Sequence, residues 1–203
     1  HDDALADLDD TAAQAAVGML LRRARRHQAA GHAYAQTFVN HGAAAGASIA
    51  HPHGQVVALD VVPPRILRER AVLVRGSCPI CTLAAPDVEV VEAQGLVAAC
   101  PPWSVTPFEL LVAPRSHGTE LDASVGGVLA DVLRRLRGAA GDVAYNLVFH
   151  PDWSAPGPSG GHGHPHVHVY PRIELDAGFE LGTGLALNSA SPSVTAGRLR
   201  AAG

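Results

Sequence analysis

Asn40-His-Gly42-Ala-Ala-Ala-Gly46-Ala-Ser48-Ile-Ala-His51-Pro52-His53-Gly54-Gln55 is the stretch on which the reading of the chain turns. A loop of small residues leads into two histidines that alternate across a proline, followed by Gly and Gln. A neutral imidazole such as that of His53 is nucleophilic at pH 7, because its unperturbed pKa lies near ~6.5. Gly46 and Gly54 let backbone N–H groups approach an anion closely. Asn40, Ser48 and Gln55 add uncharged groups able to hold phosphate oxygens and ribose hydroxyls. These are the parts of a phosphoryl or nucleotidyl transfer site with a covalent histidine intermediate.

Over this run the chain resembles the galactose-1-phosphate uridylyltransferase family, a branch of the histidine-triad superfamily. The family pattern is met at Asn40, Gly42, Gly46, Ser48, His51, Pro52, His53, Gly54 and Gln55, and the resemblance continues to the end of the chain. It implies that His53 attacks the α-phosphorus of a UDP-sugar and that a hexose 1-phosphate then takes the UMP. Gln55 would stabilise the phosphorane and Ser48 would touch the departing phosphate. Substrate contacts would come from Asn40, Gly46, Ser48 and Gln55, with Phe179 and Glu180 matching a stretch associated with sugar contacts. The family forms homodimers that share sugar-binding residues, so a homodimer is expected. A segment precedes this point in the family, so the first half is expected to be N-terminally incomplete here. His1 and His51 would then be the remainder of a partial zinc site.

Two further clusters look metal-ready. Cys78-Pro-Ile-Cys81 puts two thiols on one turn, and His117 and His164 could complete a tetrahedral zinc site, as at matching positions in some family members. Glu69, His150, His166 and His168 match an iron or zinc site of some bacterial uridylyltransferases. His166 and His168 face the same side of a strand and can reach one ion. The run His164-Pro-His166-Val-His168-Val-Tyr170 also fits the histidine-triad pattern, which makes His166 a rival nucleophile. It lacks the Gly54-Gln55 and Asn40 to Ser48 accompaniment, so a structural role is expected of it.

Composition narrows the function classes. The chain has 203 residues, 47% of them hydrophobic, enough for one domain or two small ones. A net charge of −4 gives no electrostatic case for nucleic acid or a membrane surface. No apolar run approaches the ~20 residues of a membrane span. Three cysteines do not make a disulfide framework and suit a reducing, cytoplasmic setting. Every basic residue is arginine, which removes P-loop lysine chemistry and Schiff bases.

Pattern along the chain predicts a helix from Asp9-Asp10-Thr11 to about Ala30, a strand from Ala33 to Val39, and a strand from His51 to Val61 carrying both histidines. A short helix after Pro63-Pro64 runs through Arg70. Next come a hairpin around Gly95, a strand from Phe108 to Ala113, a helix from Leu121 to Gly138 and a strand from Val143 to His150. A Pro/Gly/Ser-rich loop from Pro151 to Gly163 then leads to a strand from His164 to Arg172. Strand–strand–helix order repeating twice argues α+β with antiparallel sheets. The expected division is 1–73, carrying the nucleophile motif, and 74–203, carrying the Cys pair and the His-x-His-x-His run. The rivals to uridylyl transfer are an adenylyltransferase of the ADP-glucose or dinucleoside polyphosphate phosphorylase type, and a non-catalytic metal-stabilised binding subunit.

Overall fold

The computed structural model describes residues 3–49, 51–74, 78–151 and 163–203; His1 and most of the Pro/Gly/Ser-rich loop lie outside these. The first helix, α1 (Asp10–Ala29), starts where the sequence places it, because the Asp9 carboxylate accepts from the Ala12 N–H at 2.8 Å. It stops at Gly31, whose φ of +93° favours glycine. Seven strands follow in one antiparallel sheet: β1 (Tyr34–His41), β2 (Gly54–Leu59), β3 (Glu89–Ala93), β4 (Leu96–Ala99), β5 (Leu110–Pro114), β6 (Tyr145–His150) and β7 (His166–Pro171), in the order β2-β1-β6-β7-β5-β4-β3. The remaining helices are α2 (Pro64–Val74), α3 (Val125–Ala140), α4 (Gly178–Thr183) and α5 (Pro192–Ala201).

The strands of the two proposed halves join at one seam, where β1 pairs with β6 and Asn40 lies opposite Asn146. On either side of that seam the same order recurs: α1, β1 and β2, then α3, β6 and β7.

Alternation gives the sheet two different faces. Leu147, Phe149, Val167 and Val169 point into a core shared with Val17 and Leu21 of α1, Leu129, Leu133 and Leu136 of α3, and Leu199 of α5. Burying each of these larger side chains contributes about 1.5–3 kcal/mol. α1 and α3 approach so closely that a Cβ on Gly126 would overlap the Ala13 carbonyl. The opposite face receives the alternate residues of β6 and β7, namely Asn146, His150, His166 and His168. A smaller core of Leu73, Cys78, Ile80, Leu83, Ala99, Leu111 and Ala113 covers part of it. The chemistry is therefore confined to one face.

Several boundaries differ from the sequence reading. β2 begins at Gly54, not at His51, so neither His51 nor His53 is a strand residue. Pro52 has no N–H to give to a ladder, and pairing with β1 begins at Gly54 opposite Val39. α2 runs on to Val74, past the expected end near Arg70. The tail folds into α4 and α5, and α5 helps close the main core through Ala196 and Leu199. Among the described residues no helix is long and apolar enough to cross a membrane.

Candidate active site and metal centres

β1 delivers Asn40 to the start of the small-residue loop. Gly42 (φ +81°) and Gly46 (φ +80°) flank a 3-10 turn, Ala43–Ala45. A Cβ placed on Gly46 would meet nothing within 4 Å among the described residues outside its chain neighbours, so there is room beside it. Gly54 also has a packing role that its sequence does not reveal. A Cβ there would lie 2.6 Å from Leu20 of α1, so this glycine lets the helix close on the strand.

His53 is half-buried, and its Nδ1–H donates to the His51 carbonyl at 2.8 Å. A carbonyl only accepts, so the proton sits on Nδ1 and the Nε2 lone pair is left to react. His51, expected as a zinc remnant, supplies this orienting carbonyl; its proposed companion His1 lies outside the described residues. Gln55 follows on β2 opposite Phe38, on the face that carries Asn40. Ser48 is exposed at the loop's end. A cleft of about 170 Å³ reaches Asn40, Pro52 and His53 from the helix side of the sheet, where Leu20, Val39 and Leu147 line it; Ser48 and Gln55 are not part of its lining.

The sequence reading missed Asn146. Its Nδ2 group donates to Asn40 Oδ1 and to the Ala45 carbonyl, each at 2.8 Å. An asparagine inside the run Tyr-Asn-Leu-Val-Phe-His was the available signal, since Asn is depleted in strands.

Phe179 and Glu180 lie on α4. Phe179 is exposed, and the Glu180 carboxylate accepts from the Ala177 N–H at 2.9 Å, capping its own helix.

The four residues of the expected zinc site do come together: Cys78, Cys81, His117 and His164 place one ligand atom each within 4.8 Å of the others. Cys78 Sγ and Cys81 Sγ lie 3.5 and 3.4 Å from His164 Nδ1, and Cys81 Sγ lies 3.5 Å from His117 Nδ1. Sulfur and nitrogen bound tetrahedrally to zinc at ~2.3 and ~2.0 Å are separated by about 3.5 Å, so the cage has the right edge. His164 Nε2–H donates to the Pro114 carbonyl at 2.6 Å, which leaves Nδ1 unprotonated towards the thiols. The donor set fits zinc.

The second cluster is His150, His166 and His168, at 5%, 2% and 7% exposure. Glu69 reaches it from α2, its carboxylate accepting from His150 Nδ1–H at 2.9 Å and lying 3.7 Å from His166 Nε2. His166 Nδ1–H donates to the His164 carbonyl at 2.9 Å, the same bond that His53 makes to His51. Burial, then the like charge of the neighbouring imidazoles, pushes His166 well below the usual range and His168 down to about 3. The shifts favour the neutral form of His166 and His168, the form that metal ligands need. Burial is the largest influence on Glu69 and raises it, but the bond to His150 together with the electrostatic pull of the three imidazoles leaves the carboxyl lowered.

Glu109 was also missed. Only 2% exposed, it accepts from the Val105 N–H at 2.7 Å, and burial pushes its carboxyl up to about 7. Its Oε1 lies 3.3 Å from His168 Nδ1, an atom that makes no aligned hydrogen bond among the described residues. A metal on the other ring nitrogen would turn that contact into a carboxylate–histidine–metal relay. Glu109→Gln is expected to weaken Co(II) or Zn(II) binding at this centre by about 10–100-fold, measured by competition with a chromophoric chelator. His150 and His166 of β6 and β7 and Glu69 of α2 would hold the ion, whose positive charge would tie these three elements together. His166, the rival nucleophile, is sealed among these rings, whereas His53 reaches solvent.

An antiparallel sheet with a reactive histidine ahead of one strand, and metal-ready histidines at the matching place beyond the seam, defines a duplicated α+β scaffold. The sequence comparisons identify it further. The family described as galactose-1-phosphate uridyl transferase, N-terminal domain, matches residues 1–63. ADP-glucose phosphorylase of Arabidopsis thaliana is 29% identical over 180 residues, 82% of this chain and 51% of that protein. Galactose-1-phosphate uridylyltransferase of Haemophilus influenzae is 35% identical over 124 residues, 55% of this chain and 36% of that one. The crystal structure of the Arabidopsis phosphorylase with bound ADP-glucose superposes with a TM-score of 0.84 at 27% identity, covering 98% of this chain and 68% of that one. A uridylyltransferase structure gives 0.83 at 28% identity, covering 98% and 70%. The chain is similar to galactose-1-phosphate uridylyltransferases and to ADP-glucose phosphorylase, and it spans about half the length of the curated phosphorylase and about a third of the Haemophilus transferase.

Proposed function

We propose that the chain carries the nucleotidyl-accepting half-site of a nucleotidyltransferase acting on nucleoside diphosphate sugars, UDP-hexose foremost. His53 Nε2 attacks the α-phosphorus, a P–N bond forms, and the bond to the bridging oxygen breaks. The hexose 1-phosphate leaves with the electron pair. A second hexose 1-phosphate attacks the phosphoramidate, transfers the nucleotide to its own phosphate, and returns the lone pair to His53. The observation that carries this reading is the bond from His53 Nδ1–H to the His51 carbonyl, which fixes the reactive tautomer beside the Asn40 to Ser48 loop. Gln55 and the Asn40 amide would donate to phosphate oxygens as charge develops there.

A second reading, adenylyl transfer from ADP-glucose to inorganic phosphate, is favoured by the broad match to the Arabidopsis phosphorylase. Zinc is proposed for the Cys78, Cys81, His117 and His164 cage, and iron or zinc for the three-histidine centre. A homodimer is proposed as well. The exposed Phe179, Leu181, Leu185 and Leu187 on and after α4 form an apolar surface that such a dimer would bury. Incubating the protein with UDP-glucose and with ADP-glucose, then reading its intact mass, separates the two donors. A uridylyl adduct supports the first reading and an adenylyl adduct the second. A protein that accepts neither label would be a binding subunit.

A further inference from the structure

Asn146 and His150 stand four residues apart on β6, on the same face of the strand. His150 belongs to the three-histidine centre, while Asn146 reaches across the seam in the other direction. Both hydrogens of its amide are committed, one to Asn40 Oδ1 and one to the Ala45 carbonyl. Two consequences follow. With Oδ1 of Asn40 held as an acceptor, the Asn40 side chain can offer an anion only its N–H groups. With Ala45 tied down, the 3-10 turn that precedes Gly46 and Ser48 cannot swing away from β6.

We infer that Asn146 is a positioning residue of the nucleotidyl-transfer site. It sets the amide orientation of Asn40 and anchors the phosphate-facing loop from the far side of the seam. The inference rests on the proposed transfer chemistry for its kinetic consequence, but its structural half stands apart from it. Since Asn146 acts through Asn40 and the turn, its removal should slow phosphoryl transfer without disturbing His53 itself.

The test uses Asn146→Ala, Asn146→Asp, Asn40→Ala and the double variant Asn40→Ala/Asn146→Ala in the full chain. Melting temperature and metal content are measured first, to show that each variant folds. At saturating nucleotide sugar, Asn146→Ala is expected to label His53 about 10–100-fold more slowly, the range seen when a group that orients a reacting residue is lost. Asn146→Asp keeps the volume but presents only acceptors, so the Asn40 amide must turn over and aim its oxygen at the phosphate. It is therefore expected to be at least as slow as Asn146→Ala, an outcome that a merely space-filling role would not produce. The double variant should be close to Asn40→Ala in the part of the loss that Asn40 mediates; fully additive losses overturn the inference. Amide hydrogen exchange over residues 42–48, which needs no activity, should speed up at least about 10-fold in Asn146→Ala. Unchanged exchange overturns the inference whatever the labelling shows. A wild-type protein that takes no label would defeat the proposed function, while faster loop exchange in the variant would still uphold the anchoring.

Discussion

His53→Gly is expected to fold, bind its metals and take no nucleotide label, with turnover reduced by at least about 10⁴-fold, as when other covalent nucleophiles are removed. Folding should survive because the ring is half-buried and makes one recorded hydrogen bond, to the carbonyl of His51. Such a bond contributes only about 0.5–1.5 kcal/mol net, equivalent to a few degrees in melting temperature for a chain of this size. The absence of lysine makes the site easy to locate. Trypsin cuts only at arginine here, so His53 falls in the fragment between Arg26 and Arg65, and His166 in the one between Arg137 and Arg172. Label on the first fragment in the parent protein, and none in His53→Gly, meets the expectation. Label on the second would make His166 the nucleophile, against its place among three buried rings.

The residues legible in the sequence were those whose partners are near in the chain or whose pattern has a period. α1 was placed because its cap, Asp9, bonds to Ala12 three residues on. β7 was placed because valine and histidine alternate, so the strand sorts itself into a core face and a metal face. The Cys78, Cys81, His117 and His164 set was readable because two of its members share one turn. What escaped depends on long-range pairing. Asn146 bonds to atoms 106 and 101 residues away, and nothing local to Tyr145 or Leu147 announces that. Glu109 looked like an ordinary residue ahead of an apolar strand until β7 set His168 beside it. Gly54 was read as a phosphate-loop glycine, but it is Leu20, 34 positions earlier, that occupies the space a side chain would need. The register at His51 was misjudged for a local reason, because a proline between two histidines imitates strand alternation while removing the ladder donor.

Stripping zinc, or replacing Cys78 with alanine, is expected to lower the melting temperature by about 6–12 °C, corresponding to a loss of roughly 3 kcal/mol at 2–4 °C per kcal/mol. The cage joins parts of the chain that little else holds. Cys78 and Cys81 belong to the 3-10 turn Pro79–Thr82 and its lead-in, His117 follows β5, and His164 precedes β7. The core beneath them is the small one, with Leu73, Ile80, Leu83 and Leu111 as its largest members. Without a metal, burial and then the adjacent Cys78 push the Cys81 thiol up, so it stays protonated and offers the histidines only weak contacts. An ion reverses that balance by binding the thiolates. The loss should also spread, because the His164 carbonyl holds the His166 ring and β7 carries two of the three imidazoles of the second centre. Metal analysis of Cys78→Ala should therefore show the zinc of the first centre gone and weaker binding at the second. A protein as stable as the parent, with both centres still loaded, would mean that the cage neither binds the ion nor supports the sheet.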